Sequence, residues 1–154
     1  MLKNLLIGLG NPILGDDGIG IYVAQLVRKN LPKFQSIDIK EVSIGGLRII
    51  DELLGYDRAI LVDATTAESE EIGKICKLKP EEFNSTLHLS TSHDLNFTTA
   101  LELGKKYAPD KMPKEIVIYG IKVNEVSTFS DRLNPRVQKA GAKAAKIILK
   151  ELKG

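Results

Sequence analysis

The 154-residue chain has no tryptophan, a single cysteine and only two histidines, and these scarcities narrow its chemistry. Cys76, being alone, cannot close an internal disulfide, which suits a reducing compartment. No histidine motif accompanies it, so it reads as a packed residue and not as a nucleophile. With four Phe and four Tyr, the chain has little from which to build a base-stacking platform. Charge of one sign is also lacking: 22 Lys and Arg against 20 Asp and Glu leave a net charge of +2, dispersed along the chain, so nucleic acid is not expected as a partner. No apolar run is long enough to cross a membrane, and the glycine-broken opening MLKNLLIGLG is no signal-peptide core, so a cytoplasmic protein is expected. The usual hydrolase signatures are missing as well. There is no G-x-S-x-G, no cysteine with an oriented base and no H-E-x-x-H helix.

What is present begins with LLIGLGNPILGDDGIG, residues 5–20. Leu5, Leu6, Ile7 and Leu9 form a short apolar run that reads as a buried strand, and it breaks on a glycine-rich turn carrying Asp16 and Asp17. Ile19, Tyr22, Val23, Leu26, Val27 and Leu31 then recur at helical spacing, with Asp16 or Asp17 expected to cap the helix and Pro32 to end it. A partly exposed strand is expected over 37–42, closed by Gly45 and Gly46, followed by a short helix over 47–54 that stops at Gly55. The second apolar run, Ala59 to Val62, leads into another acid, Asp63. Residues 73–78 alternate like a strand, and 79–92 read as a polar loop. A helix is expected from Leu95 to Tyr107, with Ser92 or Asp94 as its cap. Residues 115–121 form a third apolar strand. Asn134 and Pro135 open a last helix whose Lys139, Lys143, Lys146 and Lys150 read as a solvated face.

This alternation specifies an α/β fold: a three-layer sandwich with a mainly parallel, twisted sheet of about five strands and helices on both faces, as one domain over 1–154. In such sheets ligands gather at the carboxyl ends of the strands, where Asp17, Asp63 and His93 are all expected. Two carboxylates and an imidazole from three segments make a reasonable set for a divalent transition metal, the imidazole favouring zinc, nickel, copper or iron over magnesium. Ordinary roles account for the same residues equally: Asp17 as a helix cap, Asp63 bonded at a strand end, His93 on a surface loop.

The combination GLGNPILGDDGIG, Gly45-Gly46, Asp63-Ala64, Ser92-His93-Asp94-Leu95, Gly120 and Leu133-Asn134-Pro135-Arg136-Val137 resembles the [NiFe]-hydrogenase maturation proteases over nearly the whole chain and in the same order. The resemblance implies an endopeptidase that removes a C-terminal extension from a hydrogenase large-subunit precursor once nickel has been inserted. It implies Asp17, Asp63 and His93 as the metal-contacting residues, with catalytic roles for Asp17 and Asp63. Asp16 is then a helix cap or a support behind the ligands, and Gly45 and Gly46 leave room for a substrate backbone or form a plain turn. The metal implied is nickel carried by the substrate, with zinc or cadmium able to take its place in vitro. His88 does not match the motif and is expected to lie outside the metal set. The sequence departs from the family's pattern between the last strand and the last helix, where a common proline and glycine are absent.

Three other readings compete. A nucleotide-binding module is disfavoured because Gly15 falls outside G-x-G-x-x-G spacing and two acids occupy the phosphate position. A resemblance to peptidyl-tRNA hydrolase stops at Pro12. A non-cleaving, metal-dependent checkpoint protein for hydrogenase assembly has the same sequence features as the protease.

Overall fold

The computed structural model describes residues 2–33, 35–43, 48–90, 96–124 and 129–153. In chain order it runs β1 (Asn4–Leu9), α1 (Ile19–Asn30), β2 (Asp38–Val42), α2 (Arg48–Leu53), β3 (Arg58–Thr66), β4 (Ile75–Lys77), α3 (Phe97–Tyr107), β5 (Glu115–Val123) and α4 (Pro135–Lys153). The sheet order is β2-β1-β3-β5-β4, with every pairing parallel except β4 with β5. The mainly parallel five-strand sheet read from the sequence is therefore present.

The sheet is central because its strands are apolar on both sides. Along β1, Leu6 faces one way with Ile60 and Val62 of β3, while Leu5, Ile7 and Leu9 face the other way with Ala59 and Leu61. The first set packs against α1 and α4 through Ile19, Val23, Val27, Val137, Ala144 and Ile148. The second set packs against α2 and α3 through Ile49, Leu53, Phe97 and Leu101. By the period-two rule Asp63 shares the face of Ala59 and Leu61, so its carboxylate continues an apolar column toward the carboxyl rim.

Gly20 fixes how closely α1 approaches that rim. A Cβ there would lie 2.2 Å from the Leu9 carbonyl oxygen and 2.4 Å from that of Val62. Only a residue without a side chain lets the first turn of α1 rest on β1 and β3. These two strands flank the point where the chain switches direction across the sheet, the usual place for a binding crevice in this architecture.

The helix caps differ from those expected. α1 starts without a side-chain cap, because both acids of the preceding turn are engaged elsewhere. α3 is capped by Asn96, whose side-chain oxygen accepts from the Thr99 amide at 2.8 Å. Asn134 caps α4 as expected, accepting from the Arg136 amide at 2.9 Å.

Candidate active site

The turn after β1 is a single 3-10 helix, Gly15–Gly18, and its geometry is set by the chain's own polar groups. Gly10, at φ +149°, permits the approach: a Cβ there would fall 2.2 Å from the Asp17 carbonyl oxygen. The Asn11 amide donates to Asp17 Oδ2 at 2.8 Å, which turns this carboxylate back over the end of β1. Asp16 points away from it. Its Oδ1 accepts the Asn134 amide at 2.7 Å, so Asp16 anchors the beginning of α4 and not that of α1. The turn is further held by Gly15 N donating to the Ser130 carbonyl at 2.6 Å and Ser130 N donating to the Ile13 carbonyl at 2.8 Å.

Asp63 lies within β3 and is completely buried, the strand continuing to Thr66 beyond it. Burial of a carboxylate needs compensating donors. Oδ1 accepts its neighbouring Ala64 amide at 2.9 Å, and Oδ2 accepts the His88 amide at 2.7 Å. The segment carrying His88 is pinned alongside β3, with Leu87 N donating to the Ala64 carbonyl at 2.9 Å and Leu89 fully buried.

This places the His88 imidazole between the two acids. Nδ1 is 2.7 Å from Asp63 Oδ1 and Nε2 is 3.2 Å from Asp17 Oδ2. An ionised carboxylate only accepts hydrogen bonds, so both ring nitrogens carry protons in this arrangement. Burial alone lowers the imidazole pKa, but the hydrogen bonds and charges of Asp17 and Asp63 outweigh it and raise it from 6.5 to about 10. The ring is thus an imidazolium whose single positive charge lies between two buried carboxylates.

The structure thus brings Asp17 and Asp63 together from separate segments, as the sequence leads one to expect. His93, Gly45 and Gly46 lie outside the described residues. His88, which the sequence reading placed outside the metal set, contacts both acids. No local pattern marks it, because its segment forms turns and not a strand or helix. Among the described residues, no group of three or more His, Cys, Asp or Glu side chains could hold a metal ion as arranged. The donor chemistry is nonetheless that of a cation seat: two carboxylates converge on one positive charge, which here is the protein's own.

Beside the turn lies a cavity of about 410 Å³, lined by Pro12, Gly15, Gly18, Tyr22, Arg132 and Leu133 among others. Ile13 and Phe129, 55% and 80% exposed, border the same paired segments. Large apolar side chains so exposed near a crevice favour contact with another chain.

Comparison with known proteins agrees with this architecture. The model of the hydrogenase maturation protease family matches residues 21–151. A putative hydrogenase maturation protease of Methanocaldococcus jannaschii is 30% identical over 97% of this chain and 96% of its own length. The hydrogenase 2 maturation protease of Escherichia coli is 21% identical over 78% of this chain and 73% of its own. Among solved structures, the hydrogenase maturating endopeptidase HybD from E. coli aligns with a TM-score of 0.77 at 20% identity, covering 99% of this chain and 93% of that one. A [NiFe] hydrogenase maturation protease from Thermococcus kodakarensis aligns with a TM-score of 0.73 at 22% identity, covering 99% and 94%. The family match over most of the chain establishes that this protein belongs to the hydrogenase maturation proteases, a family of peptidases.

Proposed function

We propose that this protein removes the C-terminal extension of a [NiFe]-hydrogenase large-subunit precursor after nickel insertion, recognising the nickel that the precursor carries. One observation supports the reading above the others: Asp17 and Asp63, from the β1 turn and from β3, converge at the carboxyl rim on a single cation. Asp17, Asp63 and His93 supply the ligands to the substrate's nickel, a mixed oxygen and nitrogen set suited to a borderline divalent ion. Zinc or cadmium can take the same seat in vitro.

Docking through the substrate's metal positions the scissile bond, and a carboxylate assists the attacking water. Asp17 is the better candidate for that task. Asp63 is fully buried and receives three hydrogen bonds, whereas Asp17 receives two among the described residues and stays 7% exposed. Asp16 holds the turn to α4, so the base of the site and the last helix form one rigid unit. The cavity beside the turn, together with the exposed side chains of Ile13 and Phe129, offers the precursor a surface. Gly45 and Gly46 leave room for its extended backbone. We take its place of work to be the cytoplasm, as the resemblance implies. No helix among the described residues is long and apolar enough to cross a membrane.

The test is processing of nickel-loaded precursor by wild-type protein and by Asp17→Asn, Asp63→Asn and His93→Ala, with the precursor C-terminus read by mass spectrometry. Cleavage by wild type and its loss in all three folded variants is expected. No cleavage by wild type, with retained metal-dependent binding, would establish the non-cleaving checkpoint instead.

A further inference from the structure

We propose that His88 is an internal occupant of the metal seat: its ring, wedged between Asp17 and Asp63, is displaced when a metal enters, so His88 opposes metal binding and does not supply a ligand. The inference rests on the reading of Asp17 and Asp63 as metal ligands, and its geometry is explicit. A metal takes the lone pair of an imidazole nitrogen. Here Nδ1 is directed at Asp63 Oδ1 at 2.7 Å and Nε2 at Asp17 Oδ2 at 3.2 Å, so the ring spans the space between the acids with neither nitrogen turned to a position that both acids could share with it.

Asp17 Oδ2 holds Asn11 N in addition to the ring, while Asp63 holds Ala64 N on Oδ1 and His88 N on Oδ2. Asp17 Oδ2 and Asp63 Oδ1 are the oxygens that meet the ring from its two sides, so the ring fills the space between them. Metal and ring therefore compete for one position.

Release of the ring does not require the segment to unfold. The backbone is tied by His88 N to Asp63 Oδ2 and by Leu87 N to the Ala64 carbonyl, and Leu89 anchors the next position in the core. The imidazole itself is 16% exposed, so rotation about its side-chain bonds carries it toward solvent. Such an occupant gives both carboxylates a hydrogen-bonding partner while the seat is empty. It also lowers the apparent affinity for a free ion by the fraction of time that the seat is open. A metal delivered on a docked precursor brings additional binding energy to overcome this, and a stray ion does not. His88 is thereby a specificity-determining residue that favours substrate-borne metal over ions in solution.

Isothermal titration of the full chain with Zn2+ tests this. His88→Ala is expected to bind Zn2+ about tenfold or more tightly than wild type, and Asp17→Asn more weakly. Weaker binding by both variants makes His88 a ligand, overturning the inference while leaving the metal seat standing. No Zn2+ binding by wild type or by His88→Ala removes the seat, and the inference with it. A second readout uses unmutated sequence: 113Cd-loaded protein with 15N-labelled histidine. Cadmium coupling to the ring of His93 alone is expected, and coupling to His88 overturns the proposal.

Discussion

Replacing Gly20 by alanine places a methyl group 2.2 Å from the Leu9 carbonyl oxygen and 2.4 Å from that of Val62. Neither atom can rotate away, because both belong to the main chain of paired central strands. The first turn of α1 must therefore lift off the sheet. Overpacking of a core costs about 1–3 kcal/mol where side chains can adjust, and the top of that range is the appropriate figure against backbone. Alanine recovers at most about 1 kcal/mol of helix propensity, the figure for a helix interior, and less in a first turn. The net loss is about 2 kcal/mol or more, and about 2–4 °C per kcal/mol for a chain of this size gives a fall in Tm of about 4–8 °C. Gly141→Ala is the internal control. Its Cβ would meet Ile19 Cδ1 at 2.8 Å and Tyr22 Cδ2 at 2.9 Å, both side-chain atoms that can shift, so its Tm should change by about half as much or less. Scanning calorimetry of the two variants decides the matter. Gly20→Ala melting within about 2 °C of wild type, or Gly141→Ala proving the more damaging, would refute the argument that backbone contact at Gly20 positions the helix behind Asp17.

Asp16→Ala leaves the Asn134 amide without its acceptor and should cost about 1–2 kcal/mol by urea unfolding. Asp16→Asn, which keeps an acceptor oxygen, should cost less. For metal-free protein, the raised pKa of His88 fixes the sign of a pH dependence: its contribution is complete below about 6.5, the unfolded value, and is lost as pH rises through about 10, the folded one. Tm should accordingly decline from neutral pH toward pH 10, and the decline should flatten in His88→Asn; an equal slope in both proteins would contradict the imidazolium assignment. Phe129→Ser should leave Tm nearly unchanged, because the side chain is 80% exposed, while weakening capture of the precursor in a pull-down.

The strands were legible because burial on both faces of a parallel sheet leaves unbroken apolar runs, as in Leu5 to Leu9 and Ala59 to Val62. The acids were legible for the same reason: the Asp16-Asp17 pair brings the first charges after one run, and Asp63 is the first charge after the other. The destinations of the acids' hydrogen bonds were not. Asp16 reaches Asn134 across 118 positions, and no local pattern encodes that distance. Capping rules offered one acid or the other to α1 because that helix follows directly, whereas the two bond instead to Asn11 and to Asn134. His88 was hidden differently. Its segment has no regular secondary structure, and its contact with Asp63 depends on two loop backbone bonds, from Leu87 and from His88 itself. The motif surrounding His93 made that histidine the conspicuous one, and nothing local in the sequence announced that His88 lies between the two acids.

The most direct measurement of the central claim incubates the protein with nickel-loaded and nickel-free forms of one hydrogenase large-subunit precursor and reads both C-termini by mass spectrometry. The account predicts truncation of the nickel-loaded form and an intact nickel-free form, with Asp17→Asn abolishing the difference by cleaving neither. Equal cleavage of both forms by the wild-type protein would contradict it.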